Sequence, residues 1–201
     1  TRSCPEMHAT AVVLSAKPVT LEIPGVTVLG HVGVIRDAAE LYAARLAAVR
    51  NVKTPWFFCL DDDDALPDNY LELLARCMAS SAAVAYTNEL LCMLDGTQME
   101  RKSAPYDRAA FKRSVTPIHH LAVCRTDAAH RAMERIPASG NWGFEPMLFA
   151  EVARDGAQWF DEVGYIWRQR AGGGLSRHPS VPYAMVRSAQ WINGTLGRRH
   201  G

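Results

Sequence analysis

Long apolar segments are absent from this sequence of 201 residues. No run approaches the roughly 18 consecutive apolar residues of a membrane-spanning helix, so no membrane span is expected. The first residues also lack the pattern of a secretory signal peptide. An excess of one charge sign is absent as well, because 22 basic and 21 acidic residues give a formal net charge of +1. This balance excludes a global basic field that would demand nucleic acid.

Cysteine pairs with metal-binding or redox spacing are also absent. The five cysteines are odd in number and none forms a C-x-x-C pair, which argues against a zinc site. Four of them lie in apolar surroundings, which is typical of buried thiols in a reducing compartment. These four are Cys59, Cys77, Cys92 and Cys124. We therefore predict a cytoplasmic protein with free thiols.

Short apolar segments alternate with helical patterns in the first half of the chain. Residues 9–14, 26–29 and 56–60 predict strands. Asp37 and Glu40 have the spacing of a capping box, which predicts a helix start there, and Pro67 is expected in the first turn of the next helix.

The second half of the chain shows a more mixed pattern. It predicts strands at 82–87, 120–124, 159–160 and 164–167, and helices from Thr126 to about residue 136, at 145–155 and at 183–196. Together the two halves predict an α/β sandwich with a partly parallel sheet.

Four consecutive aspartates, Asp61, Asp62, Asp63 and Asp64, follow the apolar segment 56–60 directly. Adjacent carboxylates repel one another, so the folded chain needs a group that offsets their charge, and a divalent cation is one such group. In open α/β sheets, ligands bind at the carboxyl ends of the strands. We therefore interpret the acidic run as a metal-phosphate site rather than as a solvated turn.

Several segments, in the right order, resemble the GT-A-fold nucleotide-sugar glycosyltransferases of the family-2-like branch. That family commonly reads A-R-N-x-G, then an aromatic and apolar strand ending in L-D-x-D-D, then P-D-x-L. The matching residues are Ala44-Arg45, residues 56–64 and residues 67–71. Two later segments are similar to the family's acceptor-side E-D helix and its closing Y-R-x-H…S segment: residues 143–145 and residues 165–178.

The resemblance implies an α/β fold, GT-A-like and Rossmann-like, with a mixed, mainly parallel sheet flanked by helices. One domain would span 1–201, with a donor-binding part at about 1–95, an acceptor-side part at about 96–180 and a C-terminal helix at about 183–196. The implied activity is metal-dependent, inverting transfer of a sugar from a nucleotide sugar to an acceptor hydroxyl, with a UDP-sugar as the expected donor. The acceptor stays open between a glycan, a lipid-linked sugar, a protein and a modified nucleic-acid base.

The resemblance and the chemistry of the side chains together suggest a site. Mn²⁺ or Mg²⁺ would be held by Asp63, with Asp61, Asp64 and His178 as further ligands, while Asp62 should point away. The donor would contact Asp61, Asp63, Arg45 and Arg36. The acceptor would contact Trp142, Gly143, His120 and Arg168. Glu145, in the first turn of a helix after a loop with Trp142, is the expected general base.

The sequence departs from the family pattern at several positions. Pro146 stands in place of the second acid of the E-D pair, and Arg170 in place of the histidine of Y-R-x-H. Two other functions are therefore considered. One is a sugar-nucleotide-binding module without catalytic activity. The other is a phosphohydrolase of the haloacid-dehalogenase type, which also uses a strand followed by D-x-D but expects Thr or Val where Ala65-Leu66-Pro67 follow here.

Overall fold

A seven-stranded sheet forms the centre of the protein in the computed structural model, which describes residues 8–15, 22–107, 109, 117–171 and 179–196. The strands are β1 (Ala9–Ser15), β2 (Thr27–Val32), β3 (Trp56–Asp61), β4 (Val84–Cys92), β5 (Gln98–Arg101), β6 (Ala122–Arg125) and β7 (Ala157–Arg168). The helices are α1 (Ala38–Arg50), α2 (Tyr70–Ala79), α3 (Thr126–Met133), α4 (Phe144–Val152) and α5 (Ser180–Leu196), and a 3₁₀ turn, Ala153–Asp155, follows α4.

The sheet is mainly parallel. Its order is β2-β1-β3-β6-β4-β5, and β7 pairs with β4. Strands β1, β2 and β3 are mutually parallel, β6 is antiparallel to both β3 and β4, β5 is antiparallel to β4, and β7 is parallel to β4. Five strands therefore point the same way, which confirms the predicted GT-A-like architecture. Their carboxyl ends meet at one edge of the sheet.

Helices cover both faces of the sheet and form a hydrophobic core on each. Alternate residues of each strand pack into one core or the other. Val12 and Phe57 pack on the face that α1, α3, α4 and α5 cover. Val13 and Phe58 pack on the opposite face, which α2 covers. Because both faces are buried, the central strands read as continuous apolar runs rather than as an alternating pattern.

One half of the predicted capping box is present at the start of α1. The Asp37 carboxylate accepts the backbone N–H of Glu40 at 2.9 Å, which satisfies one of the N–H groups that a helix start leaves without partners. The Glu40 carboxylate accepts the backbone N–H of Arg36, one residue before the cap, at 2.8 Å. These two bonds also fix the orientation of α1, whose inner face carries Arg45.

Two helix starts differ from the prediction. Pro67 lies before α2, in a turn where the Tyr70 N–H donates to the Pro67 carbonyl at 3.0 Å, so the helix begins later than expected. Thr126 does not cap α3 with its side chain. Its hydroxyl donates instead to the Thr54 carbonyl at 2.7 Å and ties the helix to the segment before β3.

The two short strands predicted at 159–160 and 164–167 are one continuous strand, β7. The sequence pattern was broken by Asp161 and Glu162, but both carboxylates have partners that keep the strand extended. Asp161 accepts from the Asn88 side chain at 2.8 Å, and Glu162 accepts from Arg76 at 2.5 Å. The pairing register of β7 with β4 shifts near Asn88, which marks a bulge.

The thiols in the described part of the chain are free. Cys59, Cys77 and Cys124 are buried and Cys92 is half-buried, while Cys4 lies outside the described residues. Burial raises the pKa of Cys59 and of Cys77 to about 12, so both are protonated and unreactive at neutral pH. Across the helices that the structure describes, none combines the length and the apolarity that crossing a bilayer requires.

Gly164 gives a test of how tightly β7 packs. A Cβ at this position would lie 2.5 Å from the Thr87 Oγ1 and 2.9 Å from the Leu73 Cδ2. We therefore expect Gly164→Ala to lower the free energy of unfolding in urea by about 2 kcal/mol through overpacking. Gly194→Ala is the matched control, because no atom lies within 4 Å of its added Cβ, and it should stabilise α5 by about 0.5 kcal/mol. Equal effects of the two changes would contradict this packing.

Candidate functional site

A cavity of about 540 Å³ opens at the carboxyl ends of β1, β3 and β7. The middle of β4, the last residue of β5, the inner face of α1, the segment before β6, and the first turns of α4 and α5 also line it. Its polar and charged lining consists of Ser15, Arg45, Asp61, Asp62, Asp63, Glu89, Arg101, His119, His120, Glu145, Arg168 and Arg170. The site therefore lies where open α/β sheets bind their ligands.

Arg45 forms the floor of the cavity between two carboxylates. Its side chain is only 4% exposed. The guanidinium pairs with Asp61 at the end of β3 and with Glu145 in the first turn of α4, where Nη1 lies 2.8 Å from Oε1. Burial would lower the pKa of Arg45, but Glu145 and Asp61 outweigh it and raise the pKa. The residue that was predicted to bind donor phosphate thus holds two other site residues in place.

Glu145 also contacts His120 on the same wall of the cavity. The His120 Nε2 lies 3.0 Å from the Glu145 Oε2, and the ring packs edge-on against Tyr165 with centroids 4.8 Å apart. Burial would raise the pKa of Glu145, but Arg45 and His120 outweigh it and lower the pKa. Burial would likewise lower the pKa of His120, but Glu145 raises it to about 9. At neutral pH both side chains are therefore charged.

The acidic run is divided by the turn after β3. Asp61, Asp62 and Asp63 line the cavity. Arg170 binds the second and third of these, with Nη2 2.9 Å from the Asp62 Oδ1 and Nε 2.5 Å from the Asp63 Oδ2. Ser15 donates to the Asp62 Oδ2 at 2.7 Å, so this carboxylate faces the cavity, although the sequence predicted that it points away.

Asp64, predicted as a metal ligand, does not line the cavity. Its carboxylate accepts the Tyr165 hydroxyl at 2.8 Å and the backbone N–H of Arg168 at 2.8 Å. Burial raises the pKa of Asp64 to about 6. Its contacts join the turn after β3 to the end of β7, so it supports the cavity wall from behind.

The described residues contain no group of three or more His, Cys, Asp or Glu side chains that would hold a metal ion by themselves. His178, the other predicted ligand, lies outside these residues. Mg²⁺ and Mn²⁺ sites that bind phosphates commonly use only one or two carboxylates from the protein. The carboxylates of Asp61 and Asp63 face the cavity, so the donor set fits such an ion.

The residues predicted for the acceptor side all line the cavity: Trp142, Gly143, His120 and Arg168. The Arg187 guanidinium lies 4.0 Å from the Trp142 ring and covers one of its faces. The backbone N–H of Gly143 donates to the Ser188 Oγ at 2.8 Å and joins α4 to α5. A Cβ at Gly143 would lie 2.9 Å from the Met185 Sδ, so a larger residue here would displace the Met185 side chain on α5.

Arg36 is not brought to the cavity. Its side chain is 78% exposed and pairs with Glu40 at 3.4 Å, one turn along the chain. The predicted contact with donor phosphate therefore has no counterpart in this structure. The cause is local, because the Arg36 side chain pairs with Glu40, while its neighbours Ile35 and Ala38 line the cavity.

Two charged site residues escaped the sequence analysis: Glu89 and Arg101. Glu89 is 4% exposed in its side chain and pairs with Arg101 on the neighbouring strand β5. A lone acid within the apolar segment of β4 was the signal that would have pointed to it. Burial, with Arg101 nearby, lowers the pKa of His119 to about 4, so its ring is neutral at neutral pH.

Comparison with known proteins gives a family and several structural relatives. Residues 29–133 match the family described as Glycosyl transferase family 2. No curated protein sequence matches. The structure of S. aureus TarS 1-349 in complex with UDP-GlcNAc superposes with a TM-score of 0.67 at 11% identity and covers 97% of this chain and 68% of that one.

Two other structures of the same relative superpose less completely. TarS 1-349 with UDP has a TM-score of 0.55 at 10% identity and covers 88% of this chain and 51% of that one. A longer TarS structure has a TM-score of 0.55 at 9% identity, and this chain spans 37% of it. At such identities the likeness is one of fold, and it agrees with the predicted GT-A-like architecture.

Replacement of Arg45 tests whether it supports the cavity. Arg45→Met leaves Asp61 and Glu145 without their shared cation, so we expect the free energy of unfolding in urea at pH 7 to fall by about 3 kcal/mol. Arg36→Met is the matched control, because that exposed arginine has only a surface pair and should change stability by about 0.5 kcal/mol or less. If the two variants lose the same stability, Arg45 does not have the structural role assigned here.

Proposed function

The chain is a glycosyltransferase domain of family 2, and we propose that it moves a sugar from a nucleoside diphosphate to an acceptor hydroxyl in the cavity at the strand ends. The observation that carries the proposal is the set of acidic and basic groups gathered in this cavity. Asp61, Asp62 and Asp63 line it together with Glu145 and His120. The Arg45 guanidinium lies between Asp61 and Glu145. A volume of about 540 Å³ lies within the usual range for sites that enclose a small ligand.

A divalent cation belongs to this proposal, with Asp63 and Asp61 as the residues that would hold it. When bound, such an ion neutralises the charge that develops on the leaving diphosphate. Arg170 pairs with Asp62 and Asp63, and the Arg170 side chain is 49% exposed. An ion pair this accessible contributes little to stability, so the Asp63 carboxylate remains available to a divalent cation.

A UDP-sugar is the proposed donor, in line with the UDP-GlcNAc held by the structural relative TarS. The part of the cavity beside β1 and α1 is apolar and would accept the flat face of a nucleobase. Leu14, Ile35 and Leu41 form it. The diphosphate would then reach the acidic residues at the end of β3, and the sugar would lie towards α4.

Inversion at the sugar carbon is proposed because the base would come from the α4 side of the site and the groups that anchor the leaving diphosphate from the turn after β3, so the two belong to different elements. The acceptor hydroxyl would lose its proton at Glu145 or at a group that Glu145 holds, while the acidic run anchors the leaving group. Trp142 and Arg168 line the same cavity and would contact the acceptor. An acceptor attacking from the side of α4 displaces the diphosphate from the opposite face of the sugar.

Asp63→Ala tests the donor site. We expect titration calorimetry of wild-type protein with UDP to show binding that depends on Mn²⁺, and the variant to bind at least about tenfold more weakly, because one metal-binding carboxylate is lost. Asp68→Ala is the matched control, since Asp68 is exposed and does not line the cavity. Unchanged affinity in Asp63→Ala would contradict the metal-binding role.

A panel of nucleotide sugars identifies the donor. With Mn²⁺ present, a ligand at 100 times its dissociation constant should stabilise the folded protein by about 2.7 kcal/mol and raise its melting temperature. Binding followed by slow hydrolysis of the donor, which releases the nucleoside diphosphate, supports an enzyme. Binding with neither hydrolysis nor transfer supports instead the sugar-nucleotide-binding module without catalytic activity.

A further inference from the structure

We propose that His120 takes the proton of the acceptor hydroxyl and that Glu145 positions His120 for this step. The inference rests on the transferase function proposed above and names the group that receives the proton. It departs from the sequence-based prediction, which gave that role to Glu145 itself.

Both oxygens of the Glu145 carboxylate already have cationic partners. Oε1 lies 2.8 Å from the Arg45 Nη1, and Oε2 lies 3.0 Å from the His120 Nε2. A general base works best when its pKa is near the working pH, and a carboxylate held by two cations is a weak base. The next residue, Pro146, supplies no second carboxylate in this turn.

His120 is placed to accept a proton. Its side chain lines the cavity and is 15% exposed. Because Nε2 faces the Glu145 carboxylate, the neutral ring keeps its hydrogen on Nε2 and its lone pair on Nδ1. Within the part of the chain that the structure describes, Nδ1 has no hydrogen-bond partner. The edge-on contact with Tyr165 fixes the ring plane.

Charged groups from several elements act on this imidazole. Glu145 on α4 and Asp61 on β3 favour its protonated form, while burial and Arg45 on α1 oppose it. The neighbouring His119 is neutral at neutral pH, and the phenol of Tyr165 on β7 is protonated. The carboxylates outweigh burial and Arg45, so the imidazole is protonated at neutral pH. It must therefore lose one proton to water before it can act as a base. The rate of transfer should therefore rise with pH on the alkaline side of neutrality.

The other titratable groups of the cavity are less suitable. The Glu89 carboxylate is buried and occupied by Arg101. His119 has no carboxylate that orients its ring in the described residues. Among the cavity residues that the structure describes, only the pair of His120 and Glu145 combines a nitrogen open to the cavity with a carboxylate that fixes its tautomer.

The proposed step is a single displacement at the anomeric carbon of the donor. The acceptor oxygen forms a bond to the anomeric carbon of the donor, and its proton passes to the Nδ1 of His120. The bond between that carbon and the diphosphate oxygen breaks, and its electron pair leaves with the nucleoside diphosphate. His120 becomes an imidazolium whose charge the Glu145 carboxylate stabilises, and it returns the proton to water.

Donor hydrolysis tests the assignment without knowledge of the acceptor, because water then supplies the hydroxyl. The probe is the nucleotide sugar that gives the largest thermal shift with Mn²⁺. We expect His120→Gln to lower the rate of nucleoside diphosphate release by about 100-fold or more, with donor affinity unchanged in calorimetry. His130→Gln is the matched control, because His130 contacts the Val49 carbonyl away from the cavity and should leave the rate unchanged.

Glu145→Gln separates a positioning role from a direct one. Removal of its negative charge lowers the pKa of His120, so the rising limb of the pH–rate profile should move to lower pH while activity persists. A profile that does not move, or a complete loss of turnover in Glu145→Gln with near-normal turnover in His120→Gln, overturns the inference. If the wild-type protein binds no nucleotide sugar, the proposed function fails and this inference fails with it. Donor binding with an unchanged His120→Gln rate overturns the inference alone.

Discussion

The buried guanidinium of Arg45 is the constraint on which the rest of the site depends. It joins three elements that are distant in the sequence: α1, which carries it, the end of β3 through Asp61 and the start of α4 through Glu145. A cation this well buried is stable only while both carboxylates remain beside it. Arg45 in turn stabilises the negative charges of Asp61 and Glu145. The proposed donor side and the proposed acceptor side of the cavity therefore depend on one buried cation.

The features that the sequence predicted correctly depend on local patterns. The start of α1 follows from the spacing of Asp37 and Glu40, because a capping box needs only neighbouring residues. The acidic run could be placed at a strand end because an apolar segment precedes it and open α/β sheets bind ligands there. The GT-A-like architecture followed from the order of such segments together with the resemblance to a family.

The features that could not be predicted depend on how distant segments meet. Nothing near Arg45 in the sequence indicates that it contacts Glu145, and nothing in four identical aspartates indicates which of them faces the cavity. The turn after β3 decides that question by directing Asp64 to Tyr165 and to the backbone of Arg168. Glu89 belongs to the site only because β4 and β5 bring Arg101 beside it. These are properties of tertiary packing, and local propensities do not contain them.

The stacking of Arg187 on Trp142 has a consequence for molecular recognition. The indole offers two equivalent faces to a flat ligand in isolation, but here the guanidinium occupies one of them at 4.0 Å. A pyranose ring that packs on this side chain must use the remaining face. The cation thus leaves a single approach direction, so the proposed acceptor would meet Trp142 only from the side that Arg187 leaves open.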